Sequence, residues 1–346
     1  MRIMIISDAW HPQVNGVVRT YEHITAELVK MGHEVKVVGP ADFPMTIPTP
    51  GYAEIRLAIA PKSRLRRMIL EFSPDHIHIA TEGPLGWAGR SLCLAEKREF
   101  TTSYHTQFPD YVAARLAKFL PFLYEPIKKI AVKVVRTFHK PAIAMYVATQ
   151  SLEDELNAYG FQNKKIRLLR GVKTDIFKAD GERALQDLLK PVAIYVGRIA
   201  IEKNLEAFLE MEWEGSKVLV GSGPALPALE RKYPDAHFVG KKVGKDLAAH
   251  YRGADVFTFP SKTDTFGIVL IEALACGLPV AAYPVMGPID IVTEDFLGVL
   301  DNNLAKASVE ALSVGTRTER CAYIHAHYTW PQVAKTFLSA FDKGEA

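Results

Sequence analysis

Short apolar runs alternate along this chain with longer amphipathic ones, and that alternation is the strongest constraint on its fold. It is the signature of βαβ units, in which parallel strands are joined by crossover helices. In the first half, residues 2–7, 34–39, 54–58, 76–80, 100–104, 144–148 and 166–169 read as strands. The stretch "RGVKTDIFKADGERALQDLLKP", residues 170–191, is polar, rich in turn residues and without periodicity, so it reads as a linker. The pattern then restarts, with buried strands at 192–198, 217–221, 237–240, 256–260 and 279–283 and helices at 203–211 and 266–275 between them. Two doubly wound domains in series are expected, residues 1–169 and 170–327. The final stretch, "YTWPQVAKTFLSAFDK", places apolar residues at 333, 337, 338 and 341, a helical spacing.

The totals agree with a globular two-domain protein: 346 residues, 48% hydrophobic and 23% charged. No apolar run reaches the length of a membrane-spanning helix. The apolar opening, Ile3 to Ile6, is too short for a signal-peptide core and reads as the first strand. Cys93, Cys276 and Cys321 are widely spaced and odd in number, which suggests reduced, buried thiols, a cytoplasmic setting and no metal site. The net charge of +3 hides an asymmetry: residues 1–168 hold 22 Lys and Arg against 16 Asp and Glu. A basic first half suits an anionic surface, the alternative being an unevenly charged but merely solvated exterior.

Phosphate chemistry enters through glycines and cations placed after strands. The first strand runs into "SDAWHPQVNGVVRTY", where Gly16 precedes a helix from about Val17. A glycine at a helix N-terminus lets backbone approach an anion, the alternative being an Asn-Gly turn that only connects strand to helix. The one G-x-G, Gly221 and Gly223, has Leu226 where a third glycine would stand. Lys241 and Lys242 follow the next strand where a dinucleotide fold has an acid, so a nicotinamide dinucleotide is not expected. In "YVGRIAIEKNLEAF", Arg198 lies just past a buried strand and Lys203 opens a helix. At a strand's carboxyl end a guanidinium and an ammonium together suit a diphosphate, the alternative being ion pairs with Glu202 and Glu206.

The stretch "SKTDTFGIVLIEALACGLPV", residues 261–280, puts Asp264 in a loop and Glu272 in the helix that follows. The amides of Phe266, Gly267 and Ile268 open that helix, and Glu272 lies about 9 Å along its axis. That spacing is too long for the paired carboxylates of a retaining glycosidase, which stand about 5–5.5 Å apart. The two acids therefore hold different parts of one long ligand: hydroxyls, then phosphates, then hydroxyls, as in a nucleotide sugar. The plainer alternative is an N-capping Asp264 and a solvent-facing Glu272.

Together, "HPQVNGVVR", "SYHTQFPDY", "VATQS", "RGVKTDIF", "VGRIAIEKN", "GSGP" and "PSKTDTFGIVLIEALACGLPVAAYPVMGPID" run nearly the length of the chain. In this order they resemble the retaining family 4 glycosyltransferases of the GT-B fold, in the branch that acts on lipids. The family's E-x7-E element departs at its first acid, which here is Asp264. The resemblance implies two Rossmann-like domains facing a deep cleft, an acceptor-binding first domain completed by the terminal helix (328–346), and a donor-binding second domain. It also implies roles. Glu272 would bind ribose hydroxyls. Arg198 and Lys203 would bind the diphosphate, helped by the Gly16 backbone. Asp264 and the amides from Thr265 through Phe266 and Gly267 to Ile268 would hold the donor sugar. His105 would sit beside the reacting sugar, or else only shape a strand end. The loop at Gly240 and Lys241 would contact the base. Neither a cofactor nor, since the sequence has no D-x-D, an essential metal is expected. The resemblance leaves the donor open among UDP-glucose, UDP-glucuronate and GDP-mannose, with UDP-sugars preferred.

The acceptor side rests on "IKKIAVKVVRTFHK", residues 127–140. At 100° per residue, Ile127, Ile130, Ala131, Val134, Val135 and Phe138 share one face, with Lys129, Lys133, Arg136 and Lys140 opposite. Residues 112–140 carry seven Lys and Arg and a single acid. With "KSRLRR" at 62–67, this makes Lys128, Lys129, Lys133, Arg136, Arg66 and Arg67 candidates for docking on an anionic membrane. The competing reading packs the apolar face into the core. The expected function is sugar transfer from a nucleotide sugar to a membrane lipid such as diacylglycerol, at the inner face of a membrane and without nucleic acid. The alternatives are a soluble or saccharide acceptor, or a nucleotide-sugar epimerase on the same scaffold.

Overall fold

The computed structural model describes residues 1–13, 15–49, 52–105, 121–264 and 266–341. The chain forms two compact units: Met1–Leu169 joined by the chain from Trp330 onward, and Arg170–Thr329.

In the first unit β1 (Arg2–Ile6), β2 (Glu34–Val38), β5 (His76–Ile79), β6 (Phe100–Tyr104), β7 (Ala144–Val147) and β8 (Lys165–Arg167) form a parallel sheet in the order β2-β1-β5-β6-β7-β8. β1, β6 and β7 are buried or nearly so along their length, as strands covered on both faces must be. Ile6, Ile79, Leu85, Leu92, Phe100 and Phe138 belong to the core between this sheet and its helices. The expected strand at 54–58 is real but lies outside the sheet. It belongs to β4 (Tyr52–Ala58), which pairs antiparallel with β3 (Thr46–Thr49), a strand the periodicity did not reveal. The terminal helix Trp330–Leu338 packs on the helix Gly16–Lys30, and the His23 ring stacks on Trp330 with centroids 4.4 Å apart.

In the second unit β9 (Ala193–Val196), β10 (Lys217–Val220), β11 (His237–Phe238), β12 (Val256–Phe259), β13 (Val280–Ala282) and β14 (Gly298–Leu300) give another parallel sheet, in the order β11-β10-β9-β12-β13-β14. β14 is a three-residue strand, too short to register as a periodic run. The expected helix 203–211 is a 3₁₀ turn, Ile201–Lys203, and then a short α-helix, Leu205–Glu210. Asn204 separates them in the left-handed region, φ 53°. The helix expected from 266 begins at Ile268. Residues 170–191 are not a free-standing linker: Val172 bridges to Thr329 and the segment belongs to the second unit. Here Arg252 donates through Nε to the Glu182 carbonyl at 2.7 Å, so buried polar contacts, not apolar periodicity, hold the segment.

Candidate active site

In an open parallel sheet, ligands bind beyond the carboxyl ends of the strands, where neighbouring crossovers leave in opposite directions. In the second unit that point lies between β9, whose chain goes on to β10, and β12, whose chain goes on to β13. The two loops that leave it are tied together. Asn204 Nδ2 donates to the Pro260 carbonyl at 3.1 Å, and the Lys203 ammonium donates to Asp264 Oδ1 at 2.6 Å. Lys203 and Asp264 side chains are only 20% and 25% exposed, so their pairing is better shielded than a surface salt bridge. The alternative ion pairs with Glu202 and Glu206 do not form at Lys203: Glu206 pairs with Lys232 at 2.6 Å.

Two acceptor atoms at this point are left over. Asp264 Oδ2 and Ser261 Oγ are buried and have no hydrogen-bond partner. Buried polar atoms are rarely left unsatisfied, and a pair of them at the end of a central strand marks a place where a polar ligand group fits. Gly287 closes the loop from behind with φ 91°, and a Cβ there would lie 2.9 Å from the Asp264 carbonyl oxygen. The helix Ile268–Ala275 starts just beyond, with Gly267 at its cap and no side-chain cap among the described residues. Its first amides therefore keep their anion-binding capacity. Phe266 is buried and anchors the turn. Thr265 lies outside the described residues.

Arg198 is exposed, and its guanidinium is 3.7 Å from Glu202 Oε1, a loose pair. Its carbonyl accepts from the Tyr195 hydroxyl at 3.0 Å, which fixes the backbone but leaves the side chain movable. Glu272 is half-buried on the second turn of its helix and accepts from the Tyr251 hydroxyl at 3.3 Å. Burial, and then the Glu272 charge, holds the Tyr251 phenol well above its usual range, so it stays a donor. Glu272 is thus only partly exposed, and Gly267, not Asp264, stands at the cap of its helix. Gly240 has φ 72° with open space beside it, and Lys241 is exposed. The G-x-G of residues 221–223 is a packing feature: a Cβ on Gly221 would fall 1.8 Å from the Gly197 carbonyl oxygen. Among the described residues no cluster of three metal-ligating side chains occurs.

The corresponding point of the first unit lies between β1 and β5. Asp8, at the end of β1, accepts from the Leu85 and Gly86 amides at 2.9 and 3.2 Å and from Thr81 Oγ1 at 3.0 Å. It thereby caps the helix Pro84–Ala95. Burial outweighs these bonds and raises the Asp8 pKa above its ordinary value. Asn15 Oδ1 accepts from Val17 and Val18, both at 3.0 Å, so the helix begins at Gly16 and its next two amides are already occupied. At Gly16 itself a Cβ would meet nothing within 4 Å. His105 follows β6 and contacts the Tyr21 hydroxyl through Nε2 at 2.9 Å. Sequence reasoning missed Tyr21, His78 and Ser103, which converge there. The signal was the alternating histidines of "HIHI" in an otherwise apolar strand.

On the helix Tyr124–His139 the expected apolar face divides. Val135 and Phe138 are buried, whereas Ile130 and Val134 are 65% and 48% exposed, beside exposed Lys129 and Lys133. Phe122, just before this helix, is 73% exposed. Lys128 is turned away, its ammonium 5.4 Å from the Tyr159 ring centroid, and Arg136 donates to the Tyr159 carbonyl at 3.1 Å. Arg66 pairs with Glu96 at 3.1 Å and Arg67 is exposed. Residues 112–120 of the basic stretch lie outside the described residues. Among the described residues no helix is long and apolar enough to cross a membrane.

Two six-stranded parallel sheets, each with its polar loops at a switch point, define the GT-B fold of glycosyltransferases. The fold is shared with sucrose-phosphate synthase of Thermosynechococcus elongatus (TM-score 0.76, 21% identity, 98% of each chain). It is shared too with Anabaena Alr3699/HepE, solved in complex with UDP-glucose (TM-score 0.68, 12% identity, 99% of this chain and all of that one). Residues 14–175 match the model of Glycosyltransferase Family 4, and residues 190–314 that of Glycosyl transferases group 1. The chain thus carries a Glycosyltransferase Family 4 domain followed by a group 1 glycosyl transferase domain, in keeping with the resemblance its motifs gave. Among curated relatives, the sulfoquinovosyl transferase SQD2 of Arabidopsis thaliana is 28% identical over 81% of this chain and 54% of its own length. A GDP-mannose-dependent alpha-mannosyltransferase of Mycobacterium tuberculosis is 28% identical (87% of this chain, 83% of that one). The alpha-monoglucosyldiacylglycerol synthase of Acholeplasma laidlawii is 29% identical (81% and 79%).

Proposed function

We propose that this chain is a retaining glycosyltransferase that moves a hexose from a nucleotide-diphosphate sugar, UDP-sugars first, to a hydroxyl of a membrane lipid such as diacylglycerol. The observation that carries the donor reading is the cluster at the β9–β12 switch point. There a shielded ammonium, uncapped helix amides and two unsatisfied buried oxygens meet. Lys203, Arg198 and the amides up to Ile268 suit a diphosphate. Asp264 and Ser261 suit sugar hydroxyls, Glu272 the ribose, and the loop at Gly240 and Lys241 the base. In this reading the acceptor hydroxyl attacks the anomeric carbon from the face the diphosphate leaves. The bond to the diphosphate breaks with its electron pair, and a diphosphate oxygen takes the acceptor's proton. The cations and amides stabilise the departing charge, and no carboxylate base is required.

A lipid acceptor is favoured over a soluble one by the exposed Ile130 and Val134, each next in sequence to an exposed lysine, Lys129 and Lys133. A helix that leaves aliphatic side chains in water among cations suits the interface of an anionic bilayer. Relatives named as alpha-monoglucosyldiacylglycerol synthases support the same reading. The peripheral membrane location rests on this helix.

The test crosses UDP-glucose, UDP-glucuronate and GDP-mannose with diacylglycerol-bearing vesicles and with soluble saccharides, read by mass spectrometry. A glycolipid product from one donor is expected. Donor epimerised in the absence of acceptor, or sugar delivered only to saccharides, overturns the proposal. Sedimentation with anionic vesicles checks the surface: binding should rise with anionic lipid and fall with salt. It should also fall when Lys129, Lys133 and Arg136 are changed to Glu.

A further inference from the structure

Glu82 follows the apolar strand β5 in "IATEGP", at the point of the first sheet between β1 and β5 from which neighbouring crossovers diverge. Its carboxylate is held from within. Oε1 is 3.2 Å from His139 Nε2, and His139 Nδ1 is 2.8 Å from Thr102 Oγ1 on β6. A carboxylate only accepts, so the ring is the donor at Glu82. His139 is fully buried, while the Glu82 side chain is 21% exposed. The imidazole is itself anchored. Arg90 donates to the Phe138 and Thr137 carbonyls at 2.9 and 3.0 Å, and Asn163 donates to the His139 carbonyl at 2.9 Å.

The structural tasks near Glu82 are done by other groups. Asp8 accepts from the Leu85 and Gly86 amides, so the helix Pro84–Ala95 does not need Glu82 as its cap. Thr81 and Gly83 seat the loop against Asp8: Thr81 Oγ1 accepts from the Asp8 amide at 2.7 Å, and a Cβ on Gly83 would fall 2.4 Å from Asp8 Cγ. Nor does Glu82 offset a cation, for among the described residues no Lys or Arg pairs with it. It stands close enough to Asp8 that its charge, after the larger effect of burial, acts to raise the Asp8 pKa. Its Oε2 takes no hydrogen bond among the described residues and is not among their buried unsatisfied atoms, so a ligand hydroxyl can reach it. A carboxylate set near a buried acid, with one oxygen pinned by a buried ring and the other open, departs from what stability alone selects, and such departures belong to functional sites.

We infer that Glu82 reads a hydroxyl of the acceptor, with Oε2 as the receiving atom and His139 as its positioning residue. The inference rests on the reading of this chain as a sugar transferase whose first unit binds the acceptor. The ligand class is an alcohol or polyol, whose O–H donates to a carboxylate oxygen that the imidazole already holds in place. A hydrogen bond to a charged acceptor is stronger than a neutral one, and a carboxylate ordered beforehand loses little freedom on binding. Glu82 takes no proton from the acceptor in this scheme; that step stays with the diphosphate.

The test uses the full chain, the donor selected by the panel above and dioctanoylglycerol in mixed micelles as acceptor. Glu82→Gln keeps the shape and removes the charge. Acceptor KM should rise about tenfold, with donor KM, UDP affinity by calorimetry and the urea midpoint little changed. His139→Phe should raise acceptor KM about threefold and add nothing in the Glu82→Gln background, a coupling that an ion pair serving stability alone would not show. An acceptor KM unmoved in Glu82→Gln overturns the inference, whether or not the urea midpoint falls. A donor KM that rises as much as the acceptor KM also overturns it. If the wild type glycosylates only soluble saccharides, the lipid acceptor is lost, and the same comparison made with the saccharide still decides Glu82. Donor consumed with no acceptor at all overturns both readings.

Discussion

The Lys203 ammonium lies 2.6 Å from Asp264 Oδ1, across 61 residues of chain, at the one place in the second sheet where neighbouring crossovers diverge. In the proposed donor site the pair would keep a cation beside the diphosphate, and it leaves the second oxygen of Asp264 unsatisfied. Lys203→Ala should lower turnover about 10²-fold, the usual loss when one charged stabiliser of a leaving group is removed. Asp264→Asn should lose a comparable factor, and the double variant should lose less than the product of the two, because each single change also strands its partner. Steady-state kinetics with the preferred donor measure all three.

Glu272 is held by Tyr251, whose phenol stays protonated. Glu272→Gln should weaken UDP and GDP binding about tenfold by replacing a charge-assisted acceptor with a neutral one. Tyr251→Phe should weaken it by about threefold, through orientation alone. Calorimetry against both nucleotides checks this, and unchanged affinity in Glu272→Gln removes that residue from the nucleotide site.

Gly287 has φ 91° and no room for a Cβ beside the Asp264 carbonyl. Gly287→Ala should cost about 1–3 kcal/mol in urea unfolding, from left-handed strain plus that contact. It should also depress turnover by displacing the Asp264 loop. Activity undiminished in a destabilised protein would separate the loop from the chemistry.

Asp8 carries the cap of the helix Pro84–Ala95. Asp8→Ala should cost about 2–3 kcal/mol, since it removes a cap and leaves buried donors unpaired. The pH dependence runs opposite to that of a salt-bridged acid. Burial raises the folded-state pKa above the unfolded value near 3.8. Its contribution is therefore fully present below that value and is lost as pH rises through the higher, folded-state one. Urea midpoints of the wild type minus those of Asp8→Asn should fall across that interval and then level.

Much of this fold is legible in the chain. The core strands are nearly continuous apolar runs because helices cover both faces of each sheet, and "VAIYVGR" and "VFTFP" announce β9 and β12 on that account. What escaped was short or held by polar contacts. β14 has three residues, β3 is stabilised by its hairpin partner, and the segment 170–191 is tied down by Arg252 and the Val172 bridge. The candidate residues Arg198, Lys203 and Asp264 stood out because charged side chains soon after buried strands have no packing reason to be there, and Glu272 because it interrupts an apolar helix.

The sequence by itself determined that there are two doubly wound sheets, which loops leave their strands carrying charge, and an ordered set of motifs that resembles the family 4 glycosyltransferases. Those are properties of local pattern, set by which residues tolerate burial. Tertiary structure alone decided who meets whom. Lys203 takes Asp264 in place of its sequence neighbours, Ile130 and Val134 stay in water while Val135 and Phe138 of the same helix do not, and Tyr21, His78, Ser103 and His105 share one hub. Hydrogen bonds and ion pairs act over about 3 Å in space and are indifferent to separation along the chain, so no periodicity encodes them.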